Sequence, residues 1–405
     1  MECKTCKLKD IATVIMGQSP KGSSYSDKGN GKAFLQGNRT FGRLYPVIDT
    51  WTTEPNKIAK EKSILMSVRA PVGDLNIANQ EICIGRGLCS IEMNNGNNEY
   101  LFYLLKYSID EIKRKSSGTV FDSINRTELE NIDIIDFDEE IQNKITSVLF
   151  NIDKKIELNN QINDNLLDIN KNLYKEWFID FRYPGFNGKL KKSALGLIPE
   201  DWEVKKISEL DLDISDGNYS SKYPTKSEFV ENGVPFIRGT DFNGCSISRK
   251  GLMYISELKH EELKKGHLKK NDILITTRGE IGRIAYVSDY FIDANINAQL
   301  IRINGKNAYP RAFVGTALLS DTVQKDIQSL VTGTALQQLP VGKFNEIKLV
   351  IPNDNSIIQQ FNSIIEPNIK KMDLLWQENE YLEQLRDTLL PKLMNGEIDL
   401  DKIEI

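Results

Sequence analysis

The sequence predicts an α+β chain made by tandem duplication, with two globular blocks of mixed helix and strand, each followed by one long helix. Three observations predict it. Five segments recur in the same order at an offset that drifts only from about 200 to 216 residues, which marks a repeat of a whole structural unit. Residues 139–178 and 355–395 are long and apolar at helical spacing. Within each block, short runs rich in Ile, Leu, Val and Thr mix with helical stretches, without the strict βαβ order of a doubly wound sheet.

In chain order, LKDIATVIMGQSP at residues 8–20 is echoed by VKKISELDLDISDG at 204–217, each opening a block. FLQGNRTFG at 34–42 returns as FIRGTDFNG at 236–244, preceded there by ENGVP, whose Gly and Pro punctuate the start of a strand. KEKSILMSVRAPVGDLNIAN at 60–79 returns as LKKNDILITTRGEIGRIAYV at 268–287. SILMSV and DILITT inside them read as strands. NEYLFYLLKYSIDEIKRKSS reads as a helix, matched by RAFVGTALLSDTVQKDIQSL, and SSGTVFDSI at 116–124 returns as VTGTALQQL at 331–339. The divisions expected are a first block at 1–138, a long helix at 139–182, a Gly-, Pro- and Lys-rich linker at 183–200, a second block at 201–354, and a second long helix with its tail at 355–405.

In residues 139–178, Ile141, Ile145, Val148, Ile152, Ile162, Leu166, Ile169 and Leu173 recur three and four apart and form one stripe. A rod of about 60 Å cannot be buried by one small domain, so it needs a helical partner. Residues 355–395 supply one, with Ile358, Phe361, Ile365, Met372, Leu375, Leu382 and Leu389 on their stripe. Pro367 predicts a kink and Pro391 a stop nearby. Asn159 and Asn379 fall at stripe positions, where a polar residue in a coiled-coil seam fixes register at some cost in stability; at the seam's edge they would do less.

The 405 residues, 40% hydrophobic and 27% charged, suit two or three domains of ordinary soluble composition. No apolar run approaches the roughly 18 residues of a membrane span, and MECKTCKLKD is not a signal peptide, so no membrane is expected and the cytoplasm is the expected location. Five cysteines, with only Cys3-x-x-Cys6 closely spaced, read as reduced thiols and predict no metal. The net charge of −5 argues against nonspecific nucleic-acid binding, although residues 113–115 and 259–270 are locally basic. Catalytic constellations fail. There is no Pro-Pro for an amino-methyltransferase loop and no P-loop. His260 and His267, the only histidines, lie in a lysine-rich polar stretch and are expected to be exposed. Glu203 and Lys205 beside Glu200 and Asp201 could bind Mg²⁺ as a nuclease does, without an evident structured scaffold.

The duplicated opening, the turns VRAPVG and TRGEIG, the SGT and TGT segments, the phrase LGLIPEDWEV and the terminal LLPKLMNGEIDL together resemble the specificity subunit of Type I restriction-modification enzymes, across nearly the whole chain. The resemblance implies two target-recognition domains, two long helices packed as an antiparallel coiled coil with pseudo-twofold symmetry, and a noncatalytic subunit reading a bipartite site on double-stranded DNA. It implies two methyltransferase subunits docked on the helices, and restriction or translocase subunits beyond them. S-adenosylmethionine, ATP and Mg²⁺ would belong to those partners, with no cofactor in this chain. A stiff spacer between two readers would accept only half-sites whose separation fits it. The alternatives are a Mg²⁺-dependent nuclease and an interaction scaffold with no DNA role.

Base edges are read by Arg, Lys, Asn or Gln, and phosphates by Ser, Thr, Lys and main-chain N–H groups. Polar, glycine-containing loops repeated in position are therefore the candidates. In the first block these are Gln18, Ser19, Lys21, Ser23, Ser24, Tyr25, Gln36, Asn38, Arg39, Arg69 and Arg86. In the second they are Asn218, Tyr219, Ser220, Ser221, Lys222, Arg238, Thr240, Asp241 and Arg278. Arg69 and Arg278 follow strands in a repeated turn, so each holds its loop, reaches a phosphate, or reads a base. Readers of different half-sites should differ at the reading residues. By that logic Gln36, Asn38 and Arg39 against Arg238, Thr240 and Asp241 are the better specificity candidates.

Overall fold

A computed structural model describes residues 3–116, 122–218, 223–334, 336–398 and 400. It divides into two compact units, Met1–Leu158 with Tyr381–Ile405, and Asn159–Glu380. Each long helix contributes one part to each unit.

In the first unit an antiparallel sheet runs Ala12–Met16, Leu88–Met93, Ile64–Ser67, Leu75–Ile77. All four residues of Ile64–Ser67 are buried, as a strand covered on both faces requires. A second sheet holds a parallel pair, Lys32–Leu35 beside Ile82–Ile84, with Phe34 opposite Cys83. Cys3–Lys7 pairs with Asp133–Phe137 at the foot of the long helix. The helices Asn98–Tyr107 and Ile109–Lys115 bury Tyr100, Leu101, Leu104 and Ile112 against Ile64, Met66 and Ile91, and the core extends to Ile145, Leu149 and Leu393 of the long helices.

The second unit repeats this topology. Its sheet runs Asp213–Asp216, Leu300–Asn304, Ile273–Thr276, Ile284–Tyr286. A parallel pair joins Val234–Ile237 to Asn295–Ile296, and Trp202–Lys206 pairs with Lys348–Pro352. The single helix expected in each block is two. The first block breaks at Ser108, and the second breaks at Ser320 between Arg311–Leu319 and Asp321–Ser329, where the Ser320 side chain accepts from the Val323 N–H as an N-cap. Residues 183–200 carry a hairpin, Leu190–Ser193 with Gly196–Pro199.

The first long helix spans Glu139–Tyr174 and widens into a π-turn at Lys175–Ile179, placing Phe178 against Phe313 and Phe361 at ring separations of 4.9 and 5.2 Å. The second spans Ser356–Met394 and continues through Pro367 without a break in its helical assignment, because buried Ile365 and Ile369 hold it on both sides of the lost bond. It ends at Met394, three residues past Pro391, and Gly396 just beyond adopts the left-handed region.

The buried seam is more polar than the sequence stripe. Ile169 is 53% exposed, and Ile152 and Ile162 are only half-buried. The fully buried positions instead step by seven, as Gln142, Leu149, Ile156, Asn163, Asn170 and Trp177, and in the second helix as Ile358, Ile365, Met372, Asn379, Arg386 and Leu393. That is the period of a left-handed supercoil. Apolar spacing missed it because five of these twelve positions, Gln142, Asn163, Asn170, Asn379 and Arg386, are polar. In the second unit, Asn159 Nδ2 donates to Asn379 Oδ1 at 2.8 Å, and Asn368 donates to Asn170 at 2.7 Å, which fixes antiparallel pairing. In the first unit Arg386 donates to Asp153 at 2.7 Å, also antiparallel.

Asn379→Leu alone is expected to cost about 1 kcal/mol by stranding part of Asn159. Asn159→Leu with Asn379→Leu should regain that loss, since two apolar side chains replace two satisfied polar ones. A double-mutant cycle in urea checks it, and additive losses would reject the register role.

Candidate nucleic-acid interface

In the first unit the turn at 85–87 joins the parallel pair to the central sheet, and three nominated loops are stitched to it. Gly17 N–H donates to Leu88 O and Gln18 N–H to Ile84 O, both at 2.9 Å. Gly85 N–H donates to Leu35 O at 2.8 Å and Val68 N–H to Gly87 O at 2.9 Å. The Ser19 hydroxyl accepts from Arg86 N–H at 3.2 Å and donates to Gln36 Oε1 at 2.9 Å. Glycine is required at Gly17, where a Cβ would lie 2.2 Å from the Gly85 carbonyl oxygen.

This places Gln18, Gln36, Arg69 and Arg86 on exposed loops around one turn. Arg69 and Arg86 line a cleft with Lys115, Ser116, Asn125 and Glu128. Among the described residues neither guanidinium has a side-chain hydrogen bond or an ion pair, so both are available to an anion. Other candidates are already engaged. Arg39 pairs with Asp49 at 2.6 Å and its hydrogen bond holds that carboxyl below its usual range. Asn38 donates to Asp74 at 2.5 Å. Ser24 faces inward, bonded to Lys21 O and Thr52, and is a structural residue. The Tyr25 ring lies on Phe34 at 4.8 Å, with its hydroxyl on Pro20 O. Lys21 and Ser23 are exposed.

The second unit builds the same knot with different side chains. The counterpart turn is 297–299, set by Phe236 opposite Asn295 where the first unit has Phe34 opposite Cys83. A Cβ on Gly217 would lie 2.2 Å from Asn297 O. Thr277 N–H donates to Gln299 O at 2.8 Å and Asn297 N–H to Ile237 O at 2.9 Å. Arg278 is tied to Gln338 at 2.9 Å, across the bridge that matches Arg69 with Ser123. Asp241 is buried and accepts from Arg238 at 2.6 Å, so this pair braces its loop, while Thr240 is exposed. Asn218 Nδ2 donates to Lys265 O at 2.7 Å. Tyr219, Ser220, Ser221 and Lys222 lie outside the described residues, as does most of the SGT segment.

Sequence reasoning missed exposed Gln299, and noted exposed Lys115 only as part of a basic run. The signal for the first was present, since ICIGRGL at 82–88 and ANINAQL at 294–300 keep the offset of the repeat. The expected exposure of the histidines is overturned. His260 is buried and His267 half-buried, because the helix Glu257–Glu262 ends early and the chain folds back on the strand Asn295–Ile296. Lys259 is also buried, and its ammonium pushes the Glu228 carboxyl down to about 2.

Glu203 and Lys205 have a scaffold after all, in the strand Trp202–Lys206, but the carboxylate pairs with Lys205 at 3.4 Å. Among the described residues Glu200, Asp201 and Glu203 do not form a converging group of three metal ligands. Cys6, Cys83, Cys89 and Cys245 are free thiols, and burial pushes Cys89 up to about 12. Among the described residues no helix is long and apolar enough to cross a membrane.

Two stretches, residues 1–168 and 199–384, match the family model described as the Type I restriction modification DNA specificity domain. The chain is 28% identical to the Type I restriction enzyme MjaIX specificity subunit of Methanocaldococcus jannaschii over 357 residues, 86% of this chain and 80% of that one. It is 26% identical to the HindI specificity subunit of Haemophilus influenzae over 74% of this chain and 77% of that one. The MjaX specificity subunit of M. jannaschii matches at 44% over 147 residues, so the chain spans only about a third, 35%, of that relative. A crystal structure of the S subunit of a Type-I restriction-modification system from M. genitalium shares the fold, with a TM-score of 0.59 at 17% identity over 97% of this chain and 96% of that one.

Proposed function

We propose, for a chain that belongs to the Type I restriction modification DNA specificity family, that it is the noncatalytic reader of a bipartite DNA site. The observation that carries this is the duplicated loop knot. Around the turns 85–87 and 297–299 three backbone bonds recur, Gly85 N–H to Leu35 O as Asn297 N–H to Ile237 O, Val68 N–H to Gly87 O as Thr277 N–H to Gln299 O, and Leu88 N–H to Gly85 O as Leu300 N–H to Asn297 O, while the side chains differ, Arg86 standing where the second unit has Ala298. One framework carrying two sets of groups suits two unlike half-sites read within one chain.

Each reader alone would bind modestly, and joining them multiplies the affinities through effective concentration. Adenine methylation with S-adenosylmethionine would be done by two methyltransferase subunits, and cleavage by ATP- and Mg²⁺-dependent restriction or translocase subunits. The net charge of −5 makes DNA affinity of the assembled complex the expected quantity rather than that of the free chain.

Methylation-aware sequencing of a plasmid carrying this gene with its methyltransferase should show one two-part motif with a fixed gap. Exchanging residues 12–137 for those of another reader should change one half of the motif and leave the other. An active complex that methylates without a bipartite motif would reject the proposal. EDTA-sensitive cleavage by the purified chain, lost on Glu203→Ala, would establish the nuclease reading instead.

A further inference from the structure

We infer that the second unit binds a first-row transition-metal dication, of which zinc is the prototype, through His260, His267 and Asp293. The cluster stands on geometry. Asp293 N–H donates to Leu268 O at 2.7 Å and Leu268 N–H to Ala294 O at 2.8 Å, which sets residues 267–268 against 293–294. Asp293 adopts a left-handed φ of 68°, unusual for a non-glycine residue, and its carboxylate oxygens face the two imidazoles.

One ligand atom from each residue lies within 4.8 Å of the others. His260 Nε2 is 3.4 Å from Asp293 Oδ2, and His267 Nδ1 is 3.6 Å from Asp293 Oδ1. These separations are longer than a good N–H···O bond of about 2.7–3.2 Å. Each histidine nitrogen thus stands near one ligand–ligand edge, about 3.3 Å on a tetrahedral metal with bonds near 2.0 Å, from its own carboxylate oxygen, Oδ2 for His260 and Oδ1 for His267.

The far side of each ring decides which nitrogen is free. His267 Nε2 meets the Leu263 carbonyl oxygen, which can only accept, so Nε2 carries the hydrogen and Nδ1 presents its lone pair to the cluster. His260 Nδ1 lies 2.5 Å from Asn295 Oδ1, and with the hydrogen on Nδ1 the Nε2 lone pair points inward. An imidazole oriented by an outer acceptor is the usual support of a metal ligand. Two lone pairs facing a carboxylate repel, and a cation held among them relieves that repulsion. Imidazole ligands select zinc, nickel, cobalt or copper over magnesium. Asp293 is 73% exposed, so a fourth position opens to solvent.

The site would bear on DNA contact through the loop it holds. Ile296 N–H donates to Gly266 O, and Lys265 O accepts from Asn218, so a metal at His267 fastens the lysine-rich stretch on which that candidate reader residue leans.

Because His260 and His267 are the only histidines in the chain, the test is clean. Chelator-treated full-length chain should take up one equivalent of Co²⁺ with the visible absorption of a tetrahedral site, lose that band when Zn²⁺ is added, and gain several degrees in Tm. His267→Ala and Asp293→Asn, on half-buried and exposed residues, should fold as judged by circular dichroism and weaken uptake at least tenfold. Cys3→Ser with Cys6→Ser should leave uptake unchanged. No saturable uptake by the parent chain, or full uptake by both variants, would overturn the inference.

Discussion

Asp153→Ala is expected to lower the stability of the first unit by about 3 kcal/mol, or more, by leaving buried cations without their counter-ion. Asp153 is fully buried and accepts from Arg386 at 2.7 Å, from Arg43 at 2.5 Å and from the Tyr103 hydroxyl at 2.5 Å. Burial pulls the Arg43 guanidinium down, and burial with the nearby Asp153 pushes the Tyr103 hydroxyl up. Burial also acts to lower Arg386, yet its carboxylate partners Asp153 and Asp387 leave it raised. Arg386 keeps Asp387 at 2.7 Å and Arg43 keeps a distant Glu383 at 3.9 Å, which moderates the loss. For a unit of this size the fall in Tm would be about 6–12 °C by differential scanning fluorimetry. Asp153→Leu with Arg386→Leu should recover only the part due to Arg386, because Arg43 is still left with Glu383 at 3.9 Å in place of Asp153. A shift under about 2 °C for Asp153→Ala would show that the network contributes little.

Arg69→Ala with Arg86→Ala is expected to weaken DNA binding by the proposed complex with methyltransferase subunits on the order of 100-fold, at about 1–3 kcal/mol for each well-made contact. Both guanidiniums are exposed beside one cleft and need not abandon a carboxylate to reach DNA. The form of the loss assigns their roles. A phosphate contact lowers affinity for every sequence alike and flattens the salt dependence by about 0.9 per contact. A base contact instead relaxes the methylated motif at one position. Arg278→Ala should do less, since Gln338 already holds its guanidinium at 2.9 Å. Affinity unchanged within twofold at both low and high salt would remove the double-arginine cleft from the interface.

The family resemblance and the duplicated α+β plan were legible because a repeat leaves matched apolar runs and turn residues at a steady offset. Ile64–Ser67 and Ile273–Thr276 are strands in equivalent places of equivalent sheets. Asn159 and Asn379 were legible too, as polar residues at helical seam positions, and they bond to each other. The full seam was not. Gln142, Asp153, Asn163 and Asn170 look like solvent-facing residues in a polar helix, and only a facing chain makes them interior.

The candidate loops divide in the same way. Position and type mark Arg39, Asn38, Arg69 and Arg86 alike as recognition groups. Nothing local distinguishes the first two, held by Asp49 and Asp74, from the last two, which pair with no carboxylate among the described residues. His260 and His267 were placed in solvent because their neighbours are lysines, whereas a helix ending at Glu262 folds them onto Asp293.

By itself the sequence determined the elements, their duplication and the chemistry of the exposed loops, because periodicity and turn propensity act within a few residues of the chain. Only the tertiary structure decided which polar groups are buried in pairs, which arginines have no ion pair among the described residues, and that His260, His267 and Asp293 converge. Those outcomes depend on partners as distant in sequence as Asp153 and Arg386, and on the low dielectric that makes an unpaired charge costly only once it is enclosed.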